Sequence, residues 1–92
     1  MPEFAVVLTD RAIADLEALS LKVRLQVSQA LASLAREPLP PRQGTKKLKG
    51  YRPPLYRLRA GDYRVRYRVG QRTVTILRVI DRRDLDRALE SF

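Results

Sequence analysis

A chain of 92 residues, 45% hydrophobic and with a net charge of +9, has room for one domain with a modest core, so residues 1–92 read as a single unit. It contains no cysteine and no histidine, which excludes disulfides, thiolate zinc sites, thiol redox chemistry and any Ser-His-Asp or Cys-His nucleophile, and no metal or cofactor is expected. No apolar run approaches the roughly 18–20 residues of a membrane span, and Met1-Pro2-Glu3-Phe4 lacks the basic and apolar regions of a secretory signal, so the expected location is the cytoplasm, with no membrane partner.

Phe4-Ala5-Val6-Val7-Leu8 is short, apolar and partly β-branched, and reads as a strand buried on at least one face. Thr9 then supplies a helix N-cap oxygen and Asp10 a first-turn negative charge. Ala12, Ile13, Leu16 and Leu19 give that helix an apolar stripe, with Asp15 and Glu17 facing away. Ser20 caps a second helix, in which Val23, Val27, Ala30, Leu31 and Leu34 recur at helical spacing. With almost no loop between them, the two form a hairpin that lays one face on a sheet. Pro38, Pro40 and Pro41 end the second helix, and a basic loop is expected from there to Pro54.

Beyond that loop the period becomes two. Tyr56, Leu58 and Ala60 alternate with Arg57 and Arg59, Gly61-Asp62 marks a turn, and Tyr63, Val65, Tyr67 and Val69 alternate with Arg64, Arg66 and Arg68. After a second turn at Gly70-Gln71-Arg72, residues 73–80 are apolar on both faces and read as a central strand, and residues 83–89 read as a short helix carrying Leu85 and Leu89. The order β-α-α-β-β-β-α predicts an α+β fold. Its antiparallel sheet has about four strands, the first added alongside, with the N-terminal helical hairpin on one face and a short C-terminal helix. The other face stays open and carries the arginines of the second and third strands.

Residues 42–72 hold eleven of the Lys and Arg side chains against one acid, Asp62. A merely solvated face mixes signs, and like charges opposed across a sheet destabilise it, so this cluster asks for phosphate or an acidic protein partner. Tyr56, Tyr63 and Tyr67 lie on the apolar side and read as core, whereas Tyr51, in the loop, fits core or a site. Lys46, Lys47 and Lys49, beside Gly44 and Gly50, fit either solubilising loop charge or a clamp on a backbone phosphate. Asp81 and Asp86 are placed to pair with Arg82 or Arg87.

The order of elements, the start Thr9-x-x-Ala12-x-x-Asp15-Leu16-x-x-Leu19, the run Lys47-Leu48-Lys49-Gly50, the stretch Leu55-Tyr56-Arg57-Leu58-Arg59-Ala60-Gly61-Asp62-Tyr63-Arg64 with its continuation to Val69, and Val79-Ile80-Asp81-Arg82-Arg83 resemble the RelE/ParE superfamily of type II toxins over nearly the whole chain. For the RelE branch the resemblance implies a RelE-like fold and a ribosome-dependent mRNA endoribonuclease that inhibits translation. In that reaction a 2′-OH attacks the adjacent phosphate while cationic side chains stabilise the transition state. Carried over by position, the catalytic set is Arg57, Arg59, Arg64 and Arg82, with Lys46, Lys47, Lys49, Arg66 and Arg68 as RNA-binding residues. Many ribosome-dependent members end H-R-x-x-x-Y, where this chain has Asp81 and Asp86, and guanidinium is ill suited to proton transfer. Tyr51, Asp81 and Asp86 are the remaining candidates for that step. The implied partners are mRNA and the ribosome, a cognate antitoxin with an acidic or amphipathic segment, and operator DNA only through the antitoxin complex. Two other readings stay open: a ParE-like inhibitor of DNA gyrase, and a degenerate toxin that acts only in antitoxin binding and autoregulation.

Overall fold

The computed structural model describes residues 3–85. Strand β1 (Ala5–Leu8) leads into helices α1 (Asp10–Glu17) and α2 (Leu21–Ser33), followed by strands β2 (Thr45–Leu48), β3 (Leu55–Ala60), β4 (Tyr63–Gly70) and β5 (Thr73–Asp81) and a 3-10 turn, Arg82–Asp84. Both helices start at the expected caps: the Thr9 hydroxyl accepts from the Ala12 amide at 3.2 Å and the Ser20 hydroxyl from the Val23 amide at 3.4 Å. The helix expected over residues 83–89 lies mostly outside the described residues. Among the described residues no helix is long and apolar enough to cross a membrane.

The sheet has the order β1-β5-β4-β3-β2, with β1 parallel to β5 and the other pairs antiparallel. It therefore has five strands where the sequence suggests about four. The addition is β2, inside the stretch expected to be loop. Thr45-Lys46-Lys47-Leu48 shows no apolar alternation, so its strand state comes from pairing with the edge of β3. Lysines suit an edge strand because they discourage further strand addition.

One face of the sheet packs on the helices. Leu58, Val65, Tyr67, Val74, Ile76 and Val79 meet Ala12, Val27, Leu31 and Leu34 in a single buried cluster. Tyr67 is fully buried, stacks on Tyr56 with ring centroids 5.7 Å apart, and donates its hydroxyl to the Pro38 carbonyl at 2.6 Å. Burial pushes the Tyr67 phenol up to about 12, so it stays a neutral donor that ties the proline-rich segment to the core. Of the expected stripe, Ala12 is fully buried, whereas Ile13 is 44% exposed.

Strand β5 contains a bulge. Arg66 is opposite Arg78 but Tyr67 is opposite Ile76, which leaves Leu77 as the inserted residue. The extra residue shifts the phase of alternation, so Val74, Ile76 and Val79 all reach the core cluster. That shift accounts for much of the apparent two-sided hydrophobicity of residues 73–80.

The bulge also explains a second correction. Asp15 does not face away: its carboxylate accepts from Arg78 Nε at 2.8 Å, from Arg78 Nη2 at 3.2 Å and from the Val79 amide at 2.9 Å. Pairing with β1 ends at Leu8–Ile76, and α1 packs along β5. The Asp15 carboxylate thus occupies a backbone donor of the kind a neighbouring strand would otherwise take. The two side chains are 17% and 18% exposed, a setting in which removing one partner leaves a costly charge. Asp15→Ala should destabilise the chain by about 2 kcal/mol in urea unfolding, and a double-mutant cycle with Arg78→Ala should return a coupling above about 1 kcal/mol. A loss within ~0.5 kcal/mol, the range of ordinary surface changes, would show that the clamp is not structural.

Candidate functional site

The side chains that alternate away from the core fall on the opposite face, and the register aligns their charges. Lys46 is opposite Arg57, Arg57 opposite Arg66, and Arg66 opposite Arg78, so one row of cations crosses four strands. Arg59 is opposite Arg64 in the next row. Directly opposed residues have Cβ atoms about 4.5–5.5 Å apart, close enough for like charges to repel appreciably. At the Asp15 end the row is neutralised by the clamp on Arg78. No described carboxylate forms an ion pair with Arg57, Arg59 or Arg64.

Arg64 stands at the tip of this array. Its Nη1 donates to the Gly61 carbonyl at 2.9 Å and the Tyr63 carbonyl at 3.1 Å, which fixes the guanidinium against the β3–β4 turn. Its pKa is lowered, chiefly by burial and then by the charges of Arg57, Arg59 and Arg82, with Asp62 opposing. The other three arginines assigned to catalysis from sequence therefore lie within electrostatic reach of Arg64. Arg82 is anchored through its backbone amide, which donates to the Asp62 carbonyl at 2.9 Å. Its side chain makes only a long contact with the Asp62 carboxylate, 3.9 Å between largely exposed groups, a pair too weak to withhold it from an anion.

The residues assigned to RNA binding separate. Lys46 shares the face of Arg57, whereas Lys47 is opposite Tyr56 and so projects to the other face, at the edge of the helical layer. Lys49 is exposed in the loop that follows. Arg66 does not stand open to solvent as its alternation suggests: it is 4% exposed. Its pKa is lowered by burial first, with Tyr51 opposing and Arg57 adding to the shift. Tyr51 lines one cleft with Leu55, Arg68 and Leu77, so the loop of residues 49–54 reaches across this face toward β5. Sequence periodicity cannot reveal such a cover, because it comes from a segment with no periodicity of its own.

Of the proton-transfer candidates, Asp86 lies outside the described residues and Tyr51 is placed beside Arg66. Asp81 is taken up by Arg83, accepting from its Nη2 at 2.8 Å, its Nε at 3.1 Å and its amide at 2.9 Å. Its partner is thus Arg83 rather than Arg82, one of the two neighbours the sequence suggested; the other, Arg87, lies outside the described residues. Asp15, expected to face away, is instead drawn in by a partner 63 positions away. Among the described residues no three or more His, Cys, Asp or Glu side chains cluster as a metal-ligand set.

A family model described as the ParE toxin of the type II toxin–antitoxin system, parDE, matches residues 6–86. The chain belongs to the RelE/ParE superfamily of type II toxins. The toxin–antitoxin complex RelBE2 from Mycobacterium tuberculosis contains a chain 32% identical, with a TM-score of 0.76, over 88% of this chain and 99% of that one. An archaeal RelE–RelB complex from Pyrococcus horikoshii OT3 matches at 28% identity and a TM-score of 0.74, over 87% of this chain and 96% of that one. A chromosomal ParDE system from P. aeruginosa shares the fold, with 18% identity, a TM-score of 0.60 and coverage of 86% and 96%. Among curated proteins, none matches this toxin in sequence.

The Asp81–Arg83 pair gives the site a pH signature. Hydrogen bonds from the Arg83 side chain, then from its amide, hold the Asp81 carboxyl down at about 2. A folded value below the ordinary value of about 3.9 means that the pair's stabilisation is present above that value and is lost as pH falls through about 2. Carboxyl-carbon NMR titration of this toxin should show that low midpoint, and Arg83→Gln should move it up toward the ordinary range. An unmoved midpoint would assign the shift to another group.

Proposed function

We propose that this toxin is an mRNA endoribonuclease acting on ribosome-bound message, with Arg57, Arg59, Arg64 and Arg82 as the catalytic cations. The observation that carries the reading is the opposed pairing of Arg57 with Arg66 and of Arg59 with Arg64 on one face, with Arg64 further depressed by Arg82. Repulsion of this kind is relieved when an anion binds among the guanidinium groups. It is relieved most when that anion gains charge, as a phosphate does on becoming a phosphorane.

In the proposed reaction the 2′ oxygen forms a bond to the adjacent phosphorus and the bond from phosphorus to the 5′ oxygen breaks. The products are a 2′,3′-cyclic phosphate and a 5′-hydroxyl. One proton leaves the 2′-OH and one reaches the departing 5′ oxygen. Guanidinium groups can stabilise the intermediate charge and donate hydrogen bonds, yet they do not exchange protons at neutral pH. A carboxylate as acidic as Asp81 is a weak base there. Proton transfer then falls to solvent or to a group supplied by the ribosome.

An antitoxin is the expected second partner. The 32% identical chain is a component of a toxin–antitoxin complex, and the cation rows match an acidic segment by charge. The engagement of Asp81 by Arg83 also favours a second reading, inhibition of DNA gyrase without RNA cleavage.

Primer extension on cellular mRNAs after induced expression separates these readings. Cuts inside translated codons are expected, with at least a hundredfold loss in Arg64→Ala, the size of effect seen when one preorganised charge-stabilising donor is removed. Growth arrest with DNA damage and intact mRNA would move the target to gyrase, and absence of arrest would leave a regulatory protein only.

A further inference from the structure

The same face holds a second feature that catalysis by the four arginines does not use. A cleft of about 630 Å³ lies where the loop of residues 49–54 meets the bulged strand, and Tyr51, Leu55, Leu77, Arg68 and Asp10 line it. Three further lining groups, Thr9, Arg11 and Arg78, are already engaged. The Thr9 hydroxyl is shared between the Ile76 and Leu77 carbonyls, and Arg78 is clamped by Asp15. Arg68 Nε is buried with no hydrogen-bond partner in the structure, an expensive state for a cation. Beside those engaged groups, two of them arginines, the cleft offers an aromatic ring, two leucines, the Arg68 guanidinium and one acid.

That mixture suits a planar, neutral group with polar edges better than it suits a phosphate or an acidic side chain, which Asp10 would repel. A nucleobase has these properties. Its faces can lie against Tyr51 and the leucines, its carbonyl or ring-nitrogen acceptors can take a terminal N–H of the Arg68 guanidinium, and its N–H groups can meet the Asp10 carboxylate. The position agrees. Arg64 and Arg68 are on the same strand four residues apart, roughly 13 Å at the usual rise, a distance spanned by about two nucleotides of an extended single strand.

We propose that this cleft is a base slot that holds one unpaired nucleobase of the RNA, about two nucleotides from the phosphate at Arg64. The slot rests on the reading that the cation rows bind RNA. It adds a positioning contact at Tyr51, fixing which phosphate along the strand reaches Arg64.

The test is an abasic scan. Fluorescein-labelled octaribonucleotides, each with one abasic position, are titrated by anisotropy with the full-length toxin, with Tyr51→Ala and with Tyr51→Phe. The expected result is one interior position at which loss of the base weakens binding by roughly fivefold to a hundredfold in the wild type and in Tyr51→Phe but not in Tyr51→Ala. Affinity should fall steeply with salt in all three proteins. Salt-dependent binding with no sensitive position, or with the same profile in Tyr51→Ala, would overturn the slot and leave the RNA reading standing. Tyr51→Ala that weakens antitoxin binding but leaves the RNA profile intact would assign the cleft to a peptide side chain and also overturn it. Absence of salt-dependent RNA binding would remove the reading beneath it and the slot together.

Discussion

Strand register is the constraint on which the rest of this toxin depends. The pairing that puts Leu58 opposite Val65 on the covered face also puts Arg57 opposite Arg66 and Arg59 opposite Arg64 on the other. Neither face can change alone, because a one-residue slip would exchange arginines for core residues along the whole strand. The magnitudes decide the outcome. Opposed like charges cost up to about 1 kcal/mol per pair, whereas a fully buried side chain such as Leu58 or Val65 contributes about 1.5–3 kcal/mol. The core therefore imposes a geometry that the cations by themselves would abandon. A cation array held against its own repulsion needs no reorganisation when an anion arrives.

Asp15 and the bulge limit this array on one side. Without the inserted Leu77, simple alternation could not bring both Ile76 and Val79 to the core face. With it, the strand turns its Val79 amide and the Arg78 guanidinium to one carboxylate on α1. The neutralised end of the row consequently lies toward α1, and Arg57, Arg59 and Arg64, which form no ion pair with a described carboxylate, are left without such compensation. At the β3–β4 turn Asp62, the single acid of the basic segment, is largely exposed and only loosely engaged with Arg82.

The fold was legible wherever a short-range pattern specified it. Thr9 and Ser20 announced the helix starts, period-two alternation announced β3 and β4, and the opposed arginine sets followed from that alternation. What escaped depends on distant partners. β2 carries no pattern and exists because β3 has an edge to fill. Asp15 looks like a solvent-facing helix residue until Arg78 is brought beside it. The bulge could have been suspected from a strand apolar on both faces but not placed. The shared face of Arg57, Arg59 and Arg64 was legible from position; the catalytic role given to them and to Arg82 is part of the proposed function. The burial of Arg66 was not legible, because alternation reports a face and says nothing of a loop crossing it.

The composition of the site bears on how such a toxin is controlled. In the proposed reaction the arginines lower the energy of a doubly charged transition state, and that contribution is present whenever RNA occupies the face. Proton transfer is different, since the chain has no histidine or cysteine and Asp81 is locked in its ionised form by Arg83. A site built this way is electrostatically complete and chemically incomplete. Its turnover on free RNA would be slow even where binding is tight, and rapid cleavage would require the strand to be bent for in-line attack, or a proton acceptor brought close, by whatever else holds the message. On that proposal, dependence on a second macromolecule would follow from the residue types present, and a segment that covers the rows would be sufficient to silence the toxin without touching any proton-transfer group.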